Sequence, residues 1–95
     1  MAVTLPEKLP PQNTEAEQCL LGCLMLDKDA IVKIVDSIRP EDFYKTTHQD
    51  IYQAMLDLYE KTNPIDTLSV SARLKEKGRL DIVGGPAYLT SLINA

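Results

Sequence analysis

The chain has 95 residues, of which 44% are hydrophobic and 25% charged, and its formal net charge is −4. This length supports one compact domain with one core. The acidic balance gives no chain-wide attraction to nucleic-acid phosphates or anionic lipids, and no apolar run approaches the roughly 20 residues of a membrane span. Because the first residues also lack the apolar centre of a secretion signal, we expect a cytoplasmic protein whose partner is another protein.

The first predicted helix follows a proline-rich start. Prolines in residues 1–12 predict an extended arm,. Asn13 or Thr14 can cap the helix, with Glu17 placed for a capping box, and the pattern runs to about Leu26. Glycine inside a helix costs about 1 kcal/mol relative to alanine, so the glycine at position 22 predicts a close approach of another backbone.

This first helix is apolar on almost every side. Its predicted core stripe consists of Ala16, Cys19, Leu20, Cys23 and Leu24,. Leu21 and Met25 pair at i, i+4 on a different side. They either face a second core neighbour or form a surface for a partner, and both roles stay open. With Leu56 of the longest helix, which falls outside its own stripe and is predicted to be exposed, they form the candidate partner interface.

The two cysteines share one side of that helix. A bridge between Cys19 and Cys23 would bend the thiols out of their usual rotamers, so reduced, buried thiols are expected. A zinc site would need His48, the only histidine, and a carboxylate as further ligands. Cysteines with this spacing and no second cysteine pair are unusual for zinc, so small residues in a tight helix contact are the favoured interpretation.

A short second helix and a single turn are predicted next. Apolar residues at helical spacing after Asp29 end before Pro40,; they are Ile31, Ile34, Val35 and Ile38. The segment RPEDFY predicts one helical turn that starts with Pro40 and is anchored inward by Phe43.

The longest predicted helix begins at Thr46, with Gln49 in capping-box position. Its predicted core stripe consists of Ile51, Ala54, Met55, Leu58 and Tyr59. His48 lies at the edge of this stripe. We interpret it as a boundary packing residue and not a catalyst, because no partner at triad-like spacing is visible.

A fourth helix is predicted from Asp66 or Thr67, one of which caps it, to Gly78 as a left-handed C-terminal cap. It carries a basic cluster made of Arg73, Lys75 and Lys77, followed by Arg79. Such a cluster can be a nucleic-acid footprint. Because Arg73 and Lys77 point nearly opposite to Lys75, a solvated helix end is the favoured interpretation.

The glycine-rich stretch DIVGGPAYL, residues 81–89, raises the question of a phosphate-binding loop,. No lysine follows Gly85, no buried strand precedes it, and Pro86 lacks the N–H that would hold a phosphate. The stretch is therefore predicted to be a corner, with Gly85 in the cap and Pro86 at the first helical position. Residues predicted to pack inward after it are Tyr88, Leu89, Leu92 and Ile93.

No segment alternates with period two, so the predicted fold is an all-α bundle of five or six short helices over residues 13–95.

Four segments together carry a family resemblance. They are PPQNTEAEQCLLGCLMLD (10–27), IRPEDFYKTTHQDIYQAMLDL (38–58), PIDTLSVSARL (64–74) and GGPAYLTSL (84–92). In this order and spacing they resemble the N-terminal domain of the bacterial replicative DNA helicase family, DnaB. The two cysteines depart from the small or aliphatic residues expected there, which affects packing and not function.

The resemblance implies a helical head that is followed by a helical hairpin, a linker and an ATPase domain in a hexameric ring. In that family the heads pair into a collar that recruits primase, and a helicase loader is a further candidate partner. No residue here matches the nucleotide-binding motifs. The resemblance therefore implies no catalytic residue, metal or cofactor in this chain, and ATP and magnesium would act in the absent ATPase domain. The sequence stops at Ala95 without a helix stop signal, so we expect the hairpin and the ATPase domain to follow.

Two other functional classes remain as alternatives. A stand-alone helical DNA-binding domain is disfavoured by the acidic balance and the split basic cluster, and a salt-dependent DNA titration would discriminate it. A small enzyme is disfavoured because a single histidine and five aromatic residues offer no pair of nucleophile and base.

Overall fold

The computed structural model describes residues 9–27 and 29–94. Its elements are α1 (Thr14–Leu26), α2 (Ala30–Ile34), a 3₁₀ turn (Pro40–Asp42), α3 (Thr46–Glu60), α4 (Thr67–Glu76), α5 (Leu80–Val83) and α6 (Gly85–Ile93). The predicted all-α class is confirmed. Most of the predicted arm, residues 1–8, lies outside the described residues.

Local capping fixes where two of the helices begin. The Asn13 side chain accepts a hydrogen bond from the Ala16 N–H at 3.0 Å, so α1 starts at Thr14. At α4 the Asp66 carboxylate accepts from the Ser69 N–H at 2.8 Å, and the Ser69 hydroxyl accepts from the Asp66 N–H at 3.0 Å. These caps satisfy N–H groups that have no partner inside the helix.

The capping boxes predicted at Thr14 and Thr46 are wrong. Asn13 caps α1, and Glu17 is used elsewhere. At the start of α3 no side chain caps the helix, and the Gln49 amide donates to the Phe43 carbonyl at 2.7 Å. That bond ties the first turn of α3 to the segment before it.

Helix α1 lies between α6 and α3, while α4 packs against both α3 and α6. A methyl group added at Gly22 would overlap the carbonyl oxygen of Leu92 and lie 3.0 Å from its carbonyl carbon. The predicted close approach is therefore confirmed, and the neighbour is the backbone of α6.

The core stripe of α3 is broader than its periodicity predicted. Ile51, Ala54, Met55 and Leu58 are buried as expected, whereas Tyr59 is only half-buried. Tyr52, which the prediction missed, is fully buried and donates its hydroxyl to the Ile38 carbonyl at 2.7 Å. Burial, with a smaller contribution from the charge of Asp42, raises the pKa of Tyr52 to about 12.

The glycine-rich stretch is a corner between α5 and α6, as predicted. Gly84 and Gly85 have φ angles of 113° and 72°, a left-handed geometry that glycine adopts without strain,. Gly84 is the cap and Pro86 stands in the first turn of α6, which shifts the predicted cap by one residue. Leu89 and Leu92 are buried, and Tyr88 and Ile93 are half-buried. Within the described residues no helix is long and apolar enough to cross a membrane.

Candidate partner surface and buried polar network

Two of the three residues of the candidate partner interface lie in the core. Leu21 is 0% exposed and Met25 is 6% exposed. Of the two roles that the sequence left open, both residues therefore have the first, packing against core neighbours. Leu56 was predicted to be exposed but is half-buried and packs against the core. A partner surface therefore has no exposed area at Leu21 or Met25.

Helix α1 turns a different side outward from the one that its pattern predicted. We call this side the outer face of α1; it consists of Ala16, Cys19, Cys23 and Leu26. Cys19 is exposed, Ala16 and Cys23 are half-buried, and Leu26 is 66% exposed. The predicted buried position is therefore wrong for Cys19. Leu21 and Met25 bury more apolar area than alanine and cysteine do, so this rotation of the helix releases more hydrophobic free energy.

Both thiols on the outer face are reduced. Partial burial raises the pKa of Cys23, and the nearby Cys19 and Asp27 raise it further. At neutral pH this thiol is protonated and is a small apolar group.

Glu17 is the centre of a polar network inside the bundle. It is fully buried, and its carboxylate accepts from the Tyr44 N–H at 2.7 Å and the Lys45 N–H at 3.4 Å. The same carboxylate contacts His48 Nδ1 at 2.8 Å. One side chain of α1 thus holds both the segment before α3 and its first turn.

His48 extends this network to α6. It is fully buried, and its Nε2 lies 2.6 Å from the Tyr88 hydroxyl, which also accepts from the Gln18 amide at 3.4 Å. Burial lowers the pKa of His48, although the hydrogen bond and charge of Glu17 oppose the effect. The neutral imidazole therefore donates from Nδ1 to Glu17 and accepts at Nε2 from Tyr88.

This arrangement leaves His48 no free nitrogen for a metal or a substrate. Its predicted boundary position is wrong, because the ring is in the interior. The cysteines of the suggested zinc site are on the outer face of α1, and among the described residues no three histidine, cysteine or carboxylate side chains form a metal-binding group. The structure does not bring the suggested ligands together.

Glu17 was missed as a network residue, although the sequence contains a signal for it. It stands three and four positions before Leu20 and Leu21, on the side of the helix that is buried. A carboxylate on a buried helix side needs partners, and the pattern does not say which ones.

Carboxylates of α3 pair with most of the basic cluster. Arg73 and Lys77 contact Asp57 at 2.9 and 3.4 Å, and Arg79 contacts Asp50 at 2.8 Å. Partial burial alone would raise the pKa of Asp57, but hydrogen bonds from Gln53, Arg73 and Lys77 and the charge of Lys77 lower it overall. The pairs of Arg73 and Lys77 therefore join α3 to the end of α4, and the pair of Arg79 joins α3 to the start of α5. Lys75 and Lys77 are exposed, as predicted for a solvated helix end.

Residues 9–95 match the family model described as "DnaB-like helicase N terminal domain". This chain belongs to that family. Two curated relatives are named "Replicative DNA helicase DnaB". The protein from Mycobacterium leprae is 45% identical over 85 residues, covering 90% of this chain and 14% of the relative. The one from Geobacillus stearothermophilus is 40% identical over 95 residues, covering 100% of this chain and 21% of the relative.

A solved structure gives the same result for the fold. The crystal structure of the N-terminal domain of DnaB helicase from Mycobacterium tuberculosis superposes with a TM-score of 0.85 at 45% identity, over 90% of this chain and 62% of that one. The resemblance to the DnaB family is confirmed. The chain spans about a fifth or less of the length of these curated relatives. The match therefore identifies the domain family and does not by itself assign the activity of the whole relatives to this chain.

Proposed function

We propose that this chain is the N-terminal interaction domain of an ATP-dependent replicative DNA helicase. It joins copies of the helicase within a hexamer and recruits primase, and it has no catalytic role. The observation that carries the proposal is the family match over residues 9–95 to relatives named replicative DNA helicases. ATP and magnesium act in the remaining part of the helicase, at the replication fork in the cytoplasm.

The arrangement of polar groups supports an interaction domain. The buried polar side chains of the described residues all have hydrogen-bond partners, and the Glu17 to Tyr88 network is closed within the bundle. Exposed large apolar side chains are present instead; they are Leu26, Val32, Tyr44, Leu68 and Ile82. Such side chains can supply contact area for protein partners.

The pairing of the basic side chains and the net charge of the chain argue against the alternative function, a stand-alone DNA-binding domain. Three basic side chains of the cluster are already paired with Asp50 and Asp57. Phosphate contacts by these groups would have to break those pairs, on a chain whose net charge is −4,.

Titration of the chain with primase from the same organism, and separately with duplex DNA, tests the proposal. We expect saturable binding of primase, weak self-association by light scattering, and no DNA binding at physiological ionic strength. DNA binding with a steep salt dependence, together with no primase binding, would replace the proposal by the DNA-binding alternative.

A further inference from the structure

The polar network of Glu17, His48 and Tyr88 has the order of groups that activates a nucleophile. The Tyr88 hydroxyl lies 2.6 Å from His48 Nε2, and His48 Nδ1 lies 2.8 Å from a Glu17 carboxylate oxygen. A hydroxyl beside a base that a further group orients is the general signature of an activated side chain. The sequence showed no such pair, because its members are 31 and 40 positions apart.

The members of this network differ in their access to solvent. Glu17 and His48 are both 0% exposed, whereas Tyr88 is half-buried. A reagent in solution therefore reaches the network only through Tyr88. The carboxylate and the imidazole stay protected behind the phenol.

We propose that Tyr88 is a site of covalent modification by acyl donors, with His48 as the base that takes its proton. The Tyr88 oxygen forms a bond to the acyl carbon while the phenol proton moves to His48 Nε2. The bond between the acyl carbon and the leaving group breaks, and its electron pair goes to the leaving group, which then takes the proton from His48. The products are a tyrosyl ester and the protonated leaving group, so one acyl group is added per chain.

The surroundings of the phenol and the imidazole favour this proton transfer. Burial lowers the pKa of His48, so at neutral pH the ring accepts a proton at Nε2. The Glu17 carboxylate at Nδ1 stabilises the imidazolium that forms,. Lys45 Nζ lies 5.9 Å from the centre of the Tyr88 ring, and the Gln18 amide donates to the Tyr88 oxygen at 3.4 Å. Both contacts favour negative charge on the phenol during the attack.

The charge of Glu17 favours an acyl group over a phosphoryl group. A phosphoryl group adds about −1.5 to −2 charge near neutral pH, and on Tyr88 it would approach a network that already holds a buried carboxylate. An acyl group adds no charge. It removes the phenol proton, so the hydrogen bond from Tyr88 to His48, which ties α6 to α3, is lost.

N-acetylimidazole, a small neutral acyl donor, tests the proposal on the unmodified chain. The chain has four tyrosines, so the other tyrosines are internal controls. Tyr44 is 59% exposed and Tyr52 is 0% exposed, while Tyr59 is half-buried, as Tyr88 is. The only histidine is bonded to Tyr88, so the controls have no imidazole base. Peptide mass spectrometry follows each tyrosine at low extents of modification.

We expect Tyr88 to be acetylated at least about tenfold faster than Tyr44 and Tyr59 at neutral pH, because general-base catalysis contributes about 10²- to 10⁴-fold. Tyr52 should stay unmodified while the chain is folded. Between about pH 7 and about pH 8 the rate at Tyr88 should be nearly constant, because His48 is neutral throughout this range. A phenol without a base reacts as the phenolate, and its rate rises about tenfold per pH unit.

The variant His48→Gln removes the base and should lower the rate at Tyr88 to that at Tyr59. Unmodified Tyr52 reports that this variant is folded, and Glu15→Gln, an exposed position on α1, should leave the rate unchanged. If Tyr52 reacts in the histidine variant, the parent decides: a constant rate at Tyr88 supports the proposal, and a tenfold rise per pH unit overturns it. A parent in which Tyr88 reacts no faster than Tyr59 overturns it as well.

Discussion

The Glu17 carboxylate and the His48 imidazole meet at 2.8 Å although they are 31 positions apart in the sequence, and both side chains are fully buried. Through this contact and the one from His48 to Tyr88, a single polar chain joins α1, α3 and α6. Buried polar groups stabilise a fold only while each has its partner. The network therefore fixes how the three helices are placed. Substitution of one member should lower the free energy of unfolding by the contribution of its hydrogen bonds.

Replacement of Glu17 by Gln should be strongly destabilising. Its carboxylate accepts from two backbone N–H groups and from His48, and an amide would bring a donor against these donors. We expect a loss of about 2 to 4 kcal/mol in the free energy of unfolding, measured by urea denaturation. The control Glu15→Gln, exposed on the same helix, should change it by at most about 0.5 kcal/mol. Equal effects of the two variants would contradict the network.

Stability should fall on mild acidification because of His48. Burial lowers the pKa of His48 in the folded state, so below its unfolded pKa of about 6.5 the unfolded chain binds more protons. The contribution is complete above that value and is lost as the pH falls toward the folded pKa. Urea midpoints at about pH 7.5 and about pH 5.5 should differ more for the parent than for His48→Gln. The same difference in both proteins would assign the pH dependence to other groups.

Gly22→Ala should destabilise the domain, although alanine is the better helix former. The added methyl group overlaps the Leu92 carbonyl on α6. Overpacking costs typically 1 to 3 kcal/mol, against about 1 kcal/mol gained in helix propensity. Gly22→Leu should be worse than Gly22→Ala in thermal and urea unfolding. An alanine variant that is more stable than the parent would show that α6 can move away freely.

Removal of the acidic partners of the basic cluster should create DNA affinity that the parent lacks. In the double variant Asp50→Asn, Asp57→Asn, the side chains of Arg73, Lys77 and Arg79 lose their carboxylates. We expect salt-dependent binding of duplex DNA in fluorescence anisotropy at low salt. The control pair Asp36→Asn, Glu41→Gln removes the same charge from exposed positions. If it binds DNA equally well, net charge alone explains the effect and the pairing does not.

The chain should not bind ATP. Its corner between α5 and α6 has glycines at positions 84 and 85, but Pro86 occupies the first turn and has no N–H to donate,. The melting temperature should stay the same when ATP and magnesium are added. A reproducible rise with nucleotide, absent with magnesium alone, would show a site that the geometry does not suggest.

Features set by neighbouring residues could be predicted from the sequence. The bounds of α1, the cap at Asp66, the corner before α6 and the all-α class follow from caps, periodicity and glycine placement within a few residues. The role of Gly22 could be predicted as well, because a glycine inside a helix loses stability unless another backbone needs the space.

The side of α1 that faces the core was decided only by the tertiary structure. A helix that is apolar all round has no single hydrophobic direction, so Leu21 and Met25 could be core or surface on the pattern alone. Packing against α3 and α6 resolved this, since it buries the larger side chains and leaves Cys19 and Leu26 outside. The contact of Glu17 with His48 and the ion pairs of Asp50 and Asp57 likewise join distant segments. Such contacts have no local signal, because they depend on which helices meet and not on the spacing within any one of them.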